Sequence, residues 1–422
     1  MTAAPGKPRL LFLACYFPPV NSMGSVRAWN IAKYLSRAGW DVQVVTPAAG
    51  IWRESFRSEV EPQPGITRIE TGYRRRLLSP AYTRSADSLP ARIAGKAMRF
   101  AARKLRIEAE SGWVSAARAA LSGLRRGDAD LVLATASPFG SLFLAEEVAG
   151  RIGVPCVLDY RDSWTLNPFA STPAPARYAA LEKRLVCNAA AVTVVSPSMR
   201  EGFERAYGAT NVHVLTNGYD PEELDAAVPM QFEDAAFVYA GNFYVPKIVI
   251  DPVFAALSRM TDVQGWTFHY FGGAGELVRA AAERFGIADR VRLHGRVART
   301  SSLAAVKGAD AAVVITSIFG NETPADRGVV TGKLYEIIGS GTPALLIAPP
   351  VCDAVDIAGN AVEHVAGHDI DAMTAFFRNA VRHRGTRYTP PPEHAWPAVA
   401  SRLDGLLRNV LGTKSSPGER YA

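Results

Sequence analysis

A chain of 422 residues is too long for one ordinary hydrophobic core and suits two domains. Hydrophobic residues at 48% and charged residues at 21% are the proportions of a soluble globular protein, and no run approaches the roughly 20 apolar residues that a membrane-spanning helix needs. The formal net charge of +7 points to anionic partners, and with no nucleic-acid-binding motif in the sequence it favours phosphorylated substrates or an anionic membrane over nucleic acid.

Cys15, Cys156, Cys187 and Cys352 are scattered, with no C-x-x-C pair and no His at ligand spacing, so they are expected to be core thiols in a reducing compartment. The first apolar run, Leu10 to Ala14, is short and follows a charged, proline-containing start, as a first strand does and a signal peptide does not. A cytoplasmic location is the expectation.

In chain order, Arg9–Ala14 reads as a buried strand, Tyr16–Arg27 as a loop containing Gly24, Arg27–Ala38 as a helix and Val42–Thr46 as the next strand. This is a βαβ unit opening a parallel sheet, and its first loop lies at a strand's carboxyl end, where such sheets bind ligands. From Tyr73 to Arg106 a dense run of Arg and Lys faces a single acid, Asp87. Within it Ile93, Ala97, Phe100, Ala101 and Leu105 recur at helical spacing. Two readings stand: a solvated helix packing its Phe100 side on the domain, or a helix lying on an anionic membrane at the inner face of the cell.

Asp130–Thr135 is a strand, and Pro155–Tyr160 is another that runs out into Arg161-Asp162-Ser163-Trp164. An Arg-Asp-aromatic cluster at a strand's carboxyl end reads as a functional loop, against the alternative of an Arg161–Asp162 ion pair that only holds the loop. Strands at Ala191–Val195 and Val212–Leu215 complete the first domain, which is expected to span residues 1–224. The second domain, 225–392, repeats the pattern: strands at Ala236–Ala240, Thr267–Phe271, Val291–Val297 and Ala311–Ile315, with Gly241–Lys247 as the loop after the first. Residues 393–412 form an amphipathic last helix, and 413–422 a polar, disordered tail. Strands alternate with helices twice over, so the fold class is α/β, with two Rossmann-like domains facing across a cleft.

Gly332–Pro343 reads as a short helix, a glycine stop at Gly339 and Gly341, and a break at Pro343, followed by the buried strand Ala344–Ile347. Leu334, Ile337 and Ile338 share one face of this helix, and Lys333 and Glu336 project together from its first turn. A surface ion pair is the plain reading. The glycine-containing approach from Gly328 favours another: a helix N-terminus with a cation suits a phosphate, and a carboxylate one turn in can accept two ribose hydroxyls.

These residues, K-L-Y-E-x-x-x-x-G-x-P from Lys333 to Pro343, resemble the nucleotide-sugar signature of the family 4 glycosyltransferases, which have the GT-B fold. The resemblance extends over nearly the whole chain. It implies a hexosyl transferase that moves a sugar from a UDP- or GDP-linked donor to a glycan, lipid-linked glycan or small molecule with retention. It implies no metal and no cofactor besides the donor, and a last helix that crosses back onto the first domain.

By this resemblance Glu336 takes the donor ribose, Lys247 and Lys333 clamp the diphosphate, and Leu334 lies within the signature. Arg296 and Val297 follow the strand whose backbone holds the base, and Gly24 lies in the N-terminal donor loop. Arg161 and Asp162 stand near the sugar and acceptor, where the commonest pattern has His and one branch has Arg-Asp-x-Trp. Three positions depart from the family: Gly328 for a sugar-handling Glu, Asn242 for a diphosphate-clamping Arg, and Met23 for a glycine. An epimerase or phosphorylase of similar fold and a non-catalytic nucleotide-sugar binder are the alternatives. A dehydrogenase is disfavoured because no G-x-G-x-x-G follows the first strand.

Overall fold

The computed structural model of the chain describes residues 6–54, 63–73, 111–170, 174–320 and 324–412. The basic segment 74–106, Glu322 and the tail 413–422 lie outside the described residues. The described chain forms two compact units.

The first unit is built on seven strands: β1 (Arg9–Leu13), β2 (Asp41–Pro47), β3 (Ile66–Thr71), β4 (Leu131–Ala136), β5 (Cys156–Tyr160), β6 (Ala191–Val194) and β7 (Val212–Val214). They lie in the order β3-β2-β1-β4-β5-β6-β7, and each neighbouring pair is parallel. Central strands such as Leu131–Ala136 are buried throughout, because helices cover both faces of a parallel sheet. The strand order reverses between β1 and β4, which makes their carboxyl ends the topological switch point.

The first helix differs from the sequence expectation. It runs Met23–Arg37, four residues earlier than expected, because the Ser22 hydroxyl accepts the Ser25 N–H (3.2 Å) and caps a turn starting at Met23. Gly24 therefore sits in the first turn of a helix rather than in a loop. A second difference is Cys187, which is exposed at the end of its helix, while Cys15 and Cys352 are buried as expected.

The second unit holds β8 (Ala235–Ala240), β9 (Trp266–Phe271), β10 (Val291–Gly295), β11 (Ala311–Ile315), β12 (Ala344–Ile347) and β13 (Glu363–Val365). The order is β10-β9-β8-β11-β12-β13, again parallel throughout, with its switch point between β8 and β11. The last helix, Trp396–Gly412, belongs to the first unit from Val399 onward. There the Trp40 indole N–H donates to Asp404 (2.7 Å), Arg408 donates to the Ala38 carbonyl (2.8 Å), and Val399, Leu403 and Leu407 are buried.

The signature helix spans Gly332–Ser340 and ends on Gly341, whose φ of +68° few other residues tolerate. Gly339 has a different role from the expected stop: it lies inside the helix, where a Cβ would come within 2.2 Å of the Tyr219 ring. A methyl group there gains about 1 kcal/mol of helix propensity but overpacks a filled contact, which typically costs about 1–3 kcal/mol. Gly339→Ala should therefore lower the unfolding free energy by about 1 kcal/mol, and by no more than about 2 kcal/mol, in urea titration. An unchanged midpoint would remove Tyr219 as the constraint on that position.

Candidate functional site

In the first unit the switch point gathers the loops after β1, β4 and β5. The Arg161 Nε donates to the Ala136 carbonyl (2.7 Å), and its guanidinium lies 5.3 Å from the Tyr16 ring centroid. The same guanidinium packs onto Gly24, where a Cβ would stand 1.6 Å from Nη1, so a side chain there would displace the guanidinium from this position. Gly24 and Arg161, expected separately from the sequence, thus form one arrangement. Asp162 does not join it. Its side chain is 65% exposed and its carboxylate is 3.7 Å from the Arg161 Nε, so the expected catalytic pair is one inward arginine and one solvent-facing acid.

The buried ion pair of this unit is a different one. Arg27, also in the first turn of the first helix, donates from Nε and Nη2 to the two oxygens of Asp159 (2.9 and 2.7 Å) and from Nη2 to the Leu215 carbonyl (2.9 Å). Thr135 and Thr193 hydroxyls each reach Asp159 at 2.7 Å. Burial alone would raise the Asp159 pKa, but Arg27 and the two hydroxyls outweigh it and hold the carboxyl below its ordinary value. This pair locks the helix carrying Gly24 to the strand carrying Arg161. Sequence reasoning placed Arg27 in a loop pattern and passed over Asp159, because a lone acid within an apolar strand looks like a strand end.

Glu182 also escaped notice. It is fully buried, accepts the Thr165 N–H (3.0 Å) and the Tyr207 hydroxyl (2.7 Å), and so pins the loop that begins at Arg161. Burial pushes its pKa up despite those two bonds.

In the second unit the expected residues lie on the carboxyl-end loops of the sheet and on the Gly332–Ser340 helix. Lys247 follows β8, and its ammonium bonds to Asp326, which is buried. The Ile318 N–H donates to the Lys247 carbonyl (2.9 Å), so the loops on either side of the switch point are tied together. Asn242 is exposed, and its carbonyl accepts the Tyr239 hydroxyl (3.1 Å). Arg296, just after β10, lays its guanidinium over Gly273, where a Cβ would lie 2.8 Å from Nε, and Val297 is half-buried beside it. Next to them His294 stacks on Phe271 (4.1 Å between centroids) and is hydrogen-bonded to His269 (3.0 Å), whose pKa burial and the nearby His294 and Arg292 pull down to about 4.

Lys333 and Glu336 meet as expected, with Nζ 2.9 Å from Oε2. This is no simple surface pair. The Glu336 side chain is only 4% exposed, and its other oxygen bonds to Arg299, a residue the sequence reading missed. Arg299 starts the Arg299–Gly308 helix and also grips Glu223 through two nitrogens, Nη2 reaching Oε2 at 2.8 Å. Burial pushes Glu336 up, but Arg299 and Lys333 overcome it and hold the carboxylate at about 2. Leu334 faces the core with no exposure. The result is a carboxylate that stays ionised at neutral pH, one turn into a helix and beside a lysine.

Asp159 and Glu336 both titrate below their ordinary values, so each contributes stability above its ordinary pKa and loses it as the pH falls through the folded value. For Glu336 that window runs from 4.5 down to about 2. Glu336→Gln should flatten the acid limb of the stability–pH curve there, and equal acid slopes in the two chains would refute the pairing. Asp159→Asn leaves Arg27 buried without a counter-charge and should cost about 3–5 kcal/mol in chemical denaturation at neutral pH. A loss below about 1 kcal/mol would mean that Arg27 finds water instead.

Residues 24–218 match the family model described as a glycosyl transferase 4-like domain. No curated protein matches the chain in sequence. Among solved structures, a sucrose-phosphate synthase from Thermosynechococcus elongatus superposes with a TM-score of 0.67 at 14% identity, over 97% of this chain and 100% of that one. A glycosyltransferase from Rickettsia africae gives 0.60 at 12%, over 97% and 100%. The Anabaena protein HepE, solved in complex with UDP and glucose, gives 0.53 at 12%, over 95% and 100%. At such identities the structural likeness establishes the fold, and together with the matched domain it marks the chain as one of GT-B fold that resembles the family 4 glycosyltransferases, with residues 24–218 as its glycosyl transferase 4-like domain.

Proposed function

We propose that the protein is a retaining glycosyltransferase that moves a hexosyl group from a UDP- or GDP-linked donor to a glycan or lipid-linked glycan. The observation that carries this reading is the ionised, almost fully buried Glu336 one turn into a helix that begins with Lys333. A fixed carboxylate that cannot protonate at neutral pH is an acceptor for two vicinal hydroxyls, and a ribose offers that pair.

The remaining roles follow from position and charge. Lys333 and Lys247 supply positive charge where a diphosphate leaves, and Arg296 stands on a neighbouring loop of the same sheet. In the reaction the acceptor hydroxyl attacks the anomeric carbon as the bond to the diphosphate oxygen breaks, and the hydroxyl proton passes to the departing phosphate. Cations aimed at that phosphate favour the transition state over the ground state because its charge is still developing. Such a front-face displacement needs no protein nucleophile. In the glycosyl transferase 4-like domain, Arg161 over Gly24 is a preset cation at a switch point, suited to a sugar or phosphate oxygen.

A thermal-shift panel of UDP, GDP, ADP and dTDP with their sugars tests the reading, since a saturating ligand at a hundredfold excess over Kd adds about 2.7 kcal/mol. One base with its sugar should stabilise the chain clearly above the rest, and no stabilisation by any of them would end the proposal. Glu336→Gln should weaken that donor by about a hundredfold or more, from the loss of bonds to a charged acceptor. The same nucleotide without ribose hydroxyls should bind wild type weakly and lose little more in the variant. Fully additive losses would take Glu336 out of the ribose contact.

A further inference from the structure

The four charges Glu223, Arg299, Glu336 and Lys333 are not equally fixed. Arg299 is held from both sides: it grips Glu223 with two nitrogens and Glu336 with a third, and its side chain is 12% exposed. Lys333 makes a single contact, Nζ to Glu336 Oε2 at 2.9 Å, and its side chain is 27% exposed, the outer member of the Glu336 pairings. Each Glu336 oxygen therefore has one partner, and the two partners differ in what it takes to move them. Withdrawing Arg299 would leave the buried Glu336 and the half-buried Glu223 each without its arginine, whereas withdrawing Lys333 turns one flexible ammonium outward. Two acids and two cations sum to zero, so when Lys333 leaves, the cluster is left with one uncompensated negative charge at Oε2.

We propose that Lys333 is an internal competitor for the ribose position, and that it leaves Glu336 only when a diphosphate draws its ammonium away. This rests on the nucleotide-sugar reading above and adds a rule of recognition to it. The ribose hydroxyls take the place that the ammonium vacates on Oε2, and Arg299 keeps the carboxylate oriented through the exchange. The two halves of the ligand are then read together. A nucleoside without phosphates has to displace Lys333 with nothing to receive it, while a nucleoside diphosphate supplies the new partner and the hydroxyls at once. The chain discriminates against nucleosides and admits their diphosphates with a single lysine.

The consequence is opposite in sign for two ligands. In Lys333→Met, which keeps the stem and removes the charge, Oε2 is open. Uridine and guanosine are the probes, with UDP and GDP as their partners, by calorimetry on the full chain. For whichever base the protein accepts, the nucleoside should bind about threefold tighter in the variant than in wild type, the weight of one partly exposed ion pair. The diphosphate should bind at least about tenfold weaker, from the loss of a charged phosphate contact. The nucleoside gain should vanish in the Lys333→Met/Glu336→Gln double variant and with the 2′,3′-dideoxynucleoside.

A nucleoside that binds Lys333→Met no tighter than wild type overturns the exchange while leaving the nucleotide site standing, provided wild type still binds the diphosphate. A gain that persists without the Glu336 carboxylate overturns it equally. If wild type binds neither diphosphate, the nucleotide reading falls and the exchange falls with it. Thermal melts of each variant at neutral pH separate these outcomes from misfolding, since Lys333 is a partly exposed member of the cluster and its change should leave the melting temperature within a few degrees.

Discussion

A charge taken out of water has to be paired where it stands, and each unit of this protein meets that requirement beside its switch point. In the first, Arg27 and Asp159 face each other with almost no exposure, and two threonine hydroxyls with one carbonyl complete the bonding. In the second, Arg299 and Glu336 do the same with Glu223 behind them. Removing either partner of such a pair costs several kcal/mol, more than any single surface interaction nearby. The two pairs therefore set the geometry to which the more exposed groups conform: Arg27–Asp159 joins the first helix to β5, and Arg299–Glu336 joins the start of one helix to the first turn of another.

Glycine provides the space these pairs organise. Gly24 lets a guanidinium lie against the first turn of a helix, Gly273 admits Arg296, and Gly339 admits the Tyr219 ring. In each case the neighbour is a large planar group and the glycine is the floor beneath it. At Gly24 and Gly273 a side chain would push an arginine head away, and at Gly339 it would meet the Tyr219 ring, roles that the sequence alone leaves indistinguishable from a turn or a helix stop.

The strands of both sheets were largely legible in the sequence, since continuous apolar runs such as Leu131–Ala136 and Ala344–Ile347 follow from burial on both faces. The strands β3 and β13 were not, since β3 is broken by polar residues, Ile-Thr-Arg-Ile-Glu-Thr, and β13 is only three residues long. Within the candidate site, Lys333 and Glu336 were legible from helical spacing. Arg299 and Glu223 were not, since they lie 37 residues before and 76 residues before the groups they pair with, Glu336 and Arg299. The Arg161–Asp162 pair that adjacency suggested is present only as a long contact of 3.7 Å, with one side chain turned inward and the other to solvent.

The cations divide by chemistry as well as by place. Arg27, Arg161 and Arg299 are each held by two or more partners in a planar fork, with side chains no more than 19% exposed. The ammonium of Lys333 reaches Glu336 through its single nitrogen and its side chain is 27% exposed, and that of Lys247, 21% exposed, bonds to Asp326. A guanidinium with five donors in a rigid frame loses most when it moves, whereas an ammonium on a four-carbon stem can trade one oxygen for another at little cost. The arginines thus belong to the scaffold, and Lys333 is the charge placed to follow a ligand. A site that must first close around a diphosphate and then let it go is better served by the second kind, held in position by the first.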